Sequence, residues 1–170
     1  SEWNVGASSL QMLNPTDAPY GSFGTSFATP IVSSVAGHVW QSLDGRPDLT
    51  VAPHMVKALL VHAARLASPD YGAQERRYYG SGIPKDALSA LYDSDDCFTL
   101  MFEALVVPGF KWRKAPYPIP ASLLHQGKLR ADVIIPAAYS PPLDPSAGAE
   151  YVRATVNVSF GVPNAHRLSG

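Results

Sequence analysis

A single cysteine, Cys97, stands among 170 residues, so no disulfide can form within the chain. Charge is also scarce: Asp, Glu, Lys and Arg make up 16% of the sequence, against roughly 25% in ordinary globular domains. The formal net charge is −1, which gives no general electrostatic case for nucleic acid or a membrane surface as partner. No apolar run approaches the ~20 residues that cross a bilayer. The first residues, SEWNVGASS, have neither the basic start nor the apolar core of a signal peptide. CxxC and HExxH patterns, a phosphate-cradling glycine loop, internal repeats and low-complexity tracts are absent too. What is plentiful is apolar side chain, at 46%. Such a chain is ordered and globular, and some of its surface is expected to be covered by something else. Cys97 lies in the apolar run CFTLMF and is expected to be a buried, inert thiol.

The two halves differ in hydrophobic period. Ile31, Val32, Val35, Ala36, Val39 and Trp40 recur at helical spacing, which predicts a helix from Ser26 to about residue 40. Small residues at Ala28, Ser33, Ser34, Ala36 and Gly37 keep it slim. QSLDGRPD, residues 41–48, reads as a turn. Pro53 suits the first turn of a second helix, 54 to about 67, with the stripe Met55, Val56, Leu59, Leu60, Ala63 and Leu66. Pro84 opens a third, short helical pattern, PKDALSALY. After Asp96 the period becomes 2. Residues 128–135 and 150–160 alternate as strands, with Leu129, Val133, Val152, Val156 and Phe160 expected inward. CFTLMFEALVV is apolar on both faces and reads as a central strand, and YPIPASLL, whose prolines cannot donate to a ladder, as an edge. YSPPLDPSAG, residues 139–148, is a connecting loop. About four strands fall short of the eight of a closed jelly roll.

The stretch GTSFATPIVSSVAGHV, residues 24–39, carries the main chemical signal. Serine at a helix start is a favoured N-cap, and capping accounts for most such serines. This one has more around it. A serine in the first helical turn has its own N–H among the unpaired donors, aimed where an oxyanion could form, with the positive end of the macrodipole behind it. Gly24 leaves room for a substrate backbone, and Thr25 offers a hydroxyl beside the same spot.

GTSFATP resembles the nucleophile motif Gly-Thr-Ser-x-Ala-x-Pro of the subtilases, the subtilisin-like serine peptidases, matching it at Gly24, Thr25, Ser26, Ala28 and Pro30. SSLQMLNPTDAPYGSF is similar to the strand and loop that lead into the motif, and MVKALLVHAA to the helix that follows the nucleophile helix. RRYYGSGIPKDALSAL resembles the closing segment of the catalytic domain, where a Tyr-Gly-x-Gly turn precedes a final helix. The resemblance covers roughly residues 5–92. It implies an α/β subtilisin-like catalytic domain, of which this chain holds a C-terminal, mostly helical fragment (residues 1–93). A small antiparallel β-sandwich, jelly-roll-like and incomplete, would follow over residues 94–170. By the same resemblance Ser26 is the nucleophile of a serine endopeptidase. Ser26, Thr25 and Gly24 would line the oxyanion and the substrate backbone.

A serine hydroxyl needs a base to take its proton. In this family the triad runs aspartate, histidine, serine along the chain. No histidine precedes Ser26, and the only earlier aspartate, Asp17, sits in the adjoining loop. Asn4 and Asn14 are too near in sequence to serve as the family's oxyanion asparagine. His38 lies twelve residues along the same helix, about 18 Å away at ~1.5 Å per residue. His54 and His62 have no matching family role, and His125 and His166 lie in the second half. The triad's aspartate and histidine and the second oxyanion donor are therefore expected outside these residues, and the chain alone is expected to be inactive.

The partners expected are a polypeptide substrate and the missing N-terminal part of the catalytic domain; exposed apolar surface on the first half would be covered by that part or by self-association. Asp93, Asp95 and Asp96 form an acidic knot without the glycine and distal glutamate of an EF-hand loop, and read as a solvated linker. No metal or cofactor is assigned to this chain, although the resemblance admits calcium in the full-length protein. Arg76 and Arg77 beside Tyr78 and Tyr79, and KWRK around Trp112, read as exposed charge around packed aromatics rather than as a nucleic-acid site. Two other readings stay open: a degenerate relative that kept the serine helix and now binds protein, or a sandwich that is itself the binding element, with Tyr117, Tyr139 and Tyr151 as a candidate platform. The compartment is open: most subtilases are secreted, and one cysteine fits either side of the membrane.

Overall fold

The computed structural model describes residues 9–85, 87–88, 97–152 and 154–161. The chain divides into two compact units, Ser1–Ala52 and Pro53–Gly170.

The first unit is a hairpin that runs into a long helix. β1 (Leu10–Leu13) pairs antiparallel with β2 (Pro19–Ser22), Leu10 opposite Ser22 and Leu13 opposite Pro19. Asn14 builds the turn between them. Its side-chain oxygen accepts from the Thr16 N–H at 2.9 Å, the Thr16 hydroxyl at 2.7 Å and the Ala18 N–H at 2.9 Å. Asp17, at φ 58°, takes the left-handed conformation that a short polar side chain tolerates. α1 (Thr25–Asp44) then runs for 20 residues, as its 3.6-residue stripe predicts. It is longer than expected: Gln41 to Asp44 are helical rather than part of a turn, because Leu43 extends the stripe by one more turn and is fully buried. Val39 is fully buried as well, Val35 and Ala36 are half-buried, but Ile31 and Val32 remain 48% and 44% exposed.

The second unit opens with α2 (Pro53–Ala67), whose first residue lacks the N–H that a helix start cannot satisfy. Met55, Val56, Leu59, Ala63 and Ala64 are buried, at roughly 1.5–3 kcal/mol for each large side chain fully withdrawn from water. Leu66, expected in this stripe, is exposed at the helix end, and Ala64 is covered instead because Gly82 comes back against it. The return runs through α3 (Arg76–Tyr79), a single turn. Asp70 accepts from Arg65 Nη2 at 2.7 Å and Arg76 Nη2 at 3.1 Å, and Tyr71 stacks on Tyr79 with centroids 5.1 Å apart. Gly82 has φ 100°; a Cβ there would collide with Ser68 Oγ and meet the Ala64 carbonyl oxygen at 3.0 Å. The Ile83 N–H donates to the same Ser68 hydroxyl at 3.1 Å.

The expected β-sandwich is not seen. Among the described residues the second half carries one two-residue hairpin, β3 (Leu124–His125) with β4 (Lys128–Leu129), and an isolated bridge between Leu143 and Val152. Gln126 and Gly127 both take positive φ, 51° and 74°, as a tight two-residue hairpin turn requires. Elsewhere residues 98–107, 117–120, 131–135 and 154–160 run without ladder partners. Leu129 is half-buried, but Val133, Val152, Val156 and Phe160, expected inward, are exposed. Alternation sets which face a segment can bury; it does not supply the neighbour that buries it. Edge-on ring contacts hold part of this half together, Phe102–Tyr117 at 5.9 Å and Tyr117–Phe160 at 5.5 Å between centroids. Tyr117, Tyr139 and Tyr151 are exposed but Tyr117 is occupied in these contacts. Cys97 is half-buried rather than buried. The helix expected from Pro84 falls mostly outside the described residues, as do Asp93, Asp95, Asp96 and His166.

Candidate active site

Ser26 is the second residue of α1, delivered by β2 through Phe23 and Gly24. The hairpin fixes where the helix begins, and Gly24 makes the corner. Its φ of 157° and ψ of 158° lie at the edge of a region that only glycine enters without penalty. Space alone would admit a Cβ there, since the nearest atom would be Phe27 Cδ2 at 3.6 Å.

The capping role fails on geometry. Gly24 is the N-cap, and no side chain caps the helix. The Phe27 and Ala28 N–H groups both donate to the Gly24 carbonyl, at 3.1 and 3.2 Å. That leaves the N–H groups of Thr25 and Ser26 without an intrahelical acceptor, at the positive end of a 20-residue dipole. Gly24, Thr25 and Ser26 are all exposed. The Thr29 hydroxyl donates to the Thr25 carbonyl at 2.8 Å and braces the first turn. Pro30 lies inside the helix four residues after Ser26, so the Ser26 carbonyl receives no i+4 hydrogen bond. Both features were legible in the sequence, as a threonine and a proline four residues beyond Thr25 and Ser26.

The histidines are placed as follows. α1 is continuous from Ser26 to His38, so their separation of about 18 Å along the axis stands. His54 and His62 belong to the second unit and are engaged there. His54 Nδ1 lies 3.2 Å from Ser140 Oγ, and its Nε2 3.0 Å from Glu103 Oε1. His62 Nε2 is 3.5 Å from Thr99 Oγ1, its Nδ1 is buried without a partner, and burial holds its pKa below the ordinary value. His125 is exposed on β3. Asp17 sits in the Asn14 turn, its backbone N–H donating to the Asn14 carbonyl at 2.9 Å. Among the described residues no three His, Cys, Asp or Glu side chains group as a metal site, and no helix is long and apolar enough to cross a membrane.

Comparison with known proteins finds a family match. The family model described as the subtilase family matches residues 4–82. Over residues 4–82 the chain is similar to the subtilases. The match takes in the hairpin, α1, α2 and the Tyr79-Gly80-Ser81-Gly82 turn, just under half of the chain. No curated protein and no solved structure matches. Subtilases are serine peptidases, so at the family level the chemistry attached to this segment is hydrolysis. The subtilase motif accounts for each local feature just described: the glycine corner, the exposed serine in the first turn, and the proline that ends its hydrogen-bond register.

Proposed function

We propose that this chain is the nucleophile-bearing part of a subtilisin-like serine endopeptidase, with Ser26 as nucleophile and its own N–H as one oxyanion donor. The observation that carries the reading is the placement of Ser26: exposed, in the first turn of α1, and not used as the helix cap. Thr25 and Gly24 border the substrate backbone. The aspartate, the histidine and the second oxyanion donor come from chain outside these residues, and the peptide substrate lies across both parts. The exposed Phe23, Ile31 and Val32 beside the serine support the same view, since a covered face is the ordinary fate of such a stripe. In the second half the period-two segments would be strands of an accessory β-sandwich over 94–170. What supports that part is the alternation in the sequence.

A serine-directed fluorophosphonate probe tests the assignment. The 170-residue chain is expected to stay unlabelled at Ser26, because losing one triad member removes most of the rate and leaves a residual of about 10³–10⁴ over water. The full-length protein is expected to label there, and Ser26→Ala to abolish it. Labelling of Ser26 in the chain at the full-length rate would place a base within these residues. A full-length protein that never labels would favour the degenerate, protein-binding relative.

A further inference from the structure

The second unit holds a serine, a histidine and a carboxylate in one hydrogen-bonded line that the subtilase motif does not use. Ser140 Oγ is 3.2 Å from His54 Nδ1, and His54 Nε2 is 3.0 Å from Glu103 Oε1. A carboxylate can only accept, so Nε2 carries the hydrogen. Nδ1 is then the bare nitrogen, placed to take the Ser140 proton. His54 is fixed near the start of α2, half-exposed, and Ser140 is open to solvent. All three border a cavity of about 1570 Å³ whose other walls include Met55, Leu59, Phe102, Trp112 and Ile135. Nucleophile, base, orienting acid and an adjoining space for the acyl group are parts of a site for acyl transfer to serine; an oxyanion donor is the further one.

The geometry points to Ser140 as a second acyl-accepting serine, activated by His54 and Glu103, for activated carboxylic esters with an apolar acyl group. The leaving group is restricted by Pro141. The residue after a nucleophile commonly gives its N–H to the oxyanion, and proline has none. Aryl esters, which expel a stabilised phenolate, react under that handicap; amides do not. Ser140 Oγ bonds to the ester carbonyl carbon while its proton moves to Nδ1. The aryl C–O bond then breaks, and the phenolate takes that proton. Water attacks the acyl carbon in turn, passing a proton through Nδ1 back to Ser140 Oγ. The carboxylic acid leaves and the serine is restored.

The test uses the 170-residue chain with 4-nitrophenyl butyrate, nitrophenolate release and peptide mapping of the acyl adduct. The expected result is a burst of release with the adduct on the peptide containing Ser140, lost in Ser140→Ala. His54→Gln should slow acylation about 10²-fold or more, the ordinary worth of a positioned base. An adduct on another residue, or a His54→Gln rate within about 3-fold of the original, overturns the proposal. Ser140→Cys guards against a misfolded variant. Its thiol should react with iodoacetamide about tenfold faster than in Ser140→Cys/His54→Gln, because the histidine raises the thiolate fraction; equal rates also overturn it. Peptide mapping separates this outcome from labelling at Ser26.

Discussion

Gly82→Ala probes how the turn after α3 is locked to α2. The added Cβ meets three costs. At φ 100° an L side chain is strained by roughly 1–2 kcal/mol. Both Ser68 Oγ and Ser68 Cβ lie where the new Cβ must go, so Ser68 as a whole is displaced and the Ile83 N–H loses its acceptor, about 0.5–1.5 kcal/mol. The Ala64 carbonyl, 3.0 Å from the new atom, is part of the α2 backbone and yields little. The sum is about 2–4 kcal/mol, read as a lower urea midpoint with unchanged slope. Gly82→Ala/Ser68→Ala separates the parts. With the hydroxyl gone, only its share of the collision is removed; the clash with the residue-68 Cβ, the contact with the Ala64 carbonyl and the strain at φ 100° remain, so the double variant should still be destabilised relative to Ser68→Ala, but by less than Gly82→Ala is relative to the original. A Gly82→Ala midpoint equivalent to less than about 0.5 kcal/mol of destabilisation would refute the reasoning, because surface substitutions alone reach that size.

Asn14→Ala should loosen the β1–β2 hairpin by about 1 kcal/mol, since three donors lose one acceptor but all stay within reach of water; amide exchange across residues 10–13 and 19–22 reads it, and unchanged protection there would count against Asn14 as the turn's organiser. His62 gives a pH dependence of definite sign. Burial lowers its pKa in the folded chain below the ordinary 6.5, so below that pH the unfolded chain binds more protons and stability falls as pH drops, until the folded histidine is protonated too. The fall in urea midpoint from neutral to about pH 5 should therefore be smaller in His62→Gln, and an equal fall would show that His62 carries none of it.

How much of this was legible depended on whether a signal was local. α1 and α2 follow from stripes contained in one segment, and the place of Ser26 in the first turn of α1 from a motif whose every element lies within seven residues. The overrun of α1 through Asp44 was misjudged because a turn-like composition, QSLDGRPD, hid one more buried leucine. The β half was not legible for a different reason. Val156 and Phe160 alternate correctly, but a ladder needs a second strand in register, and one segment's pattern does not say whether that strand is present. The hairpin at Gln126–Gly127 escaped notice because glutamine is not a residue that advertises positive φ. Ser140, His54 and Glu103 are separated by up to 86 positions, and no spacing rule brings them together.

Pro30 divides α1 into two mechanical regimes. Upstream of it the first turn is fastened by the Gly24 carbonyl and the Thr29 hydroxyl, and the Ser26 carbonyl has no rung connecting it to the next turn. Downstream, Ile31 to Asp44 form an ordinary ladder anchored at the fully buried Val39 and Leu43. Were Ser26 to carry an adduct, as proposed, the missing rung at its carbonyl would be where the first turn yields most easily. The proline works as an expansion joint: one rung is missing beside the serine, while the far end of the helix is held by its buried valine and leucine.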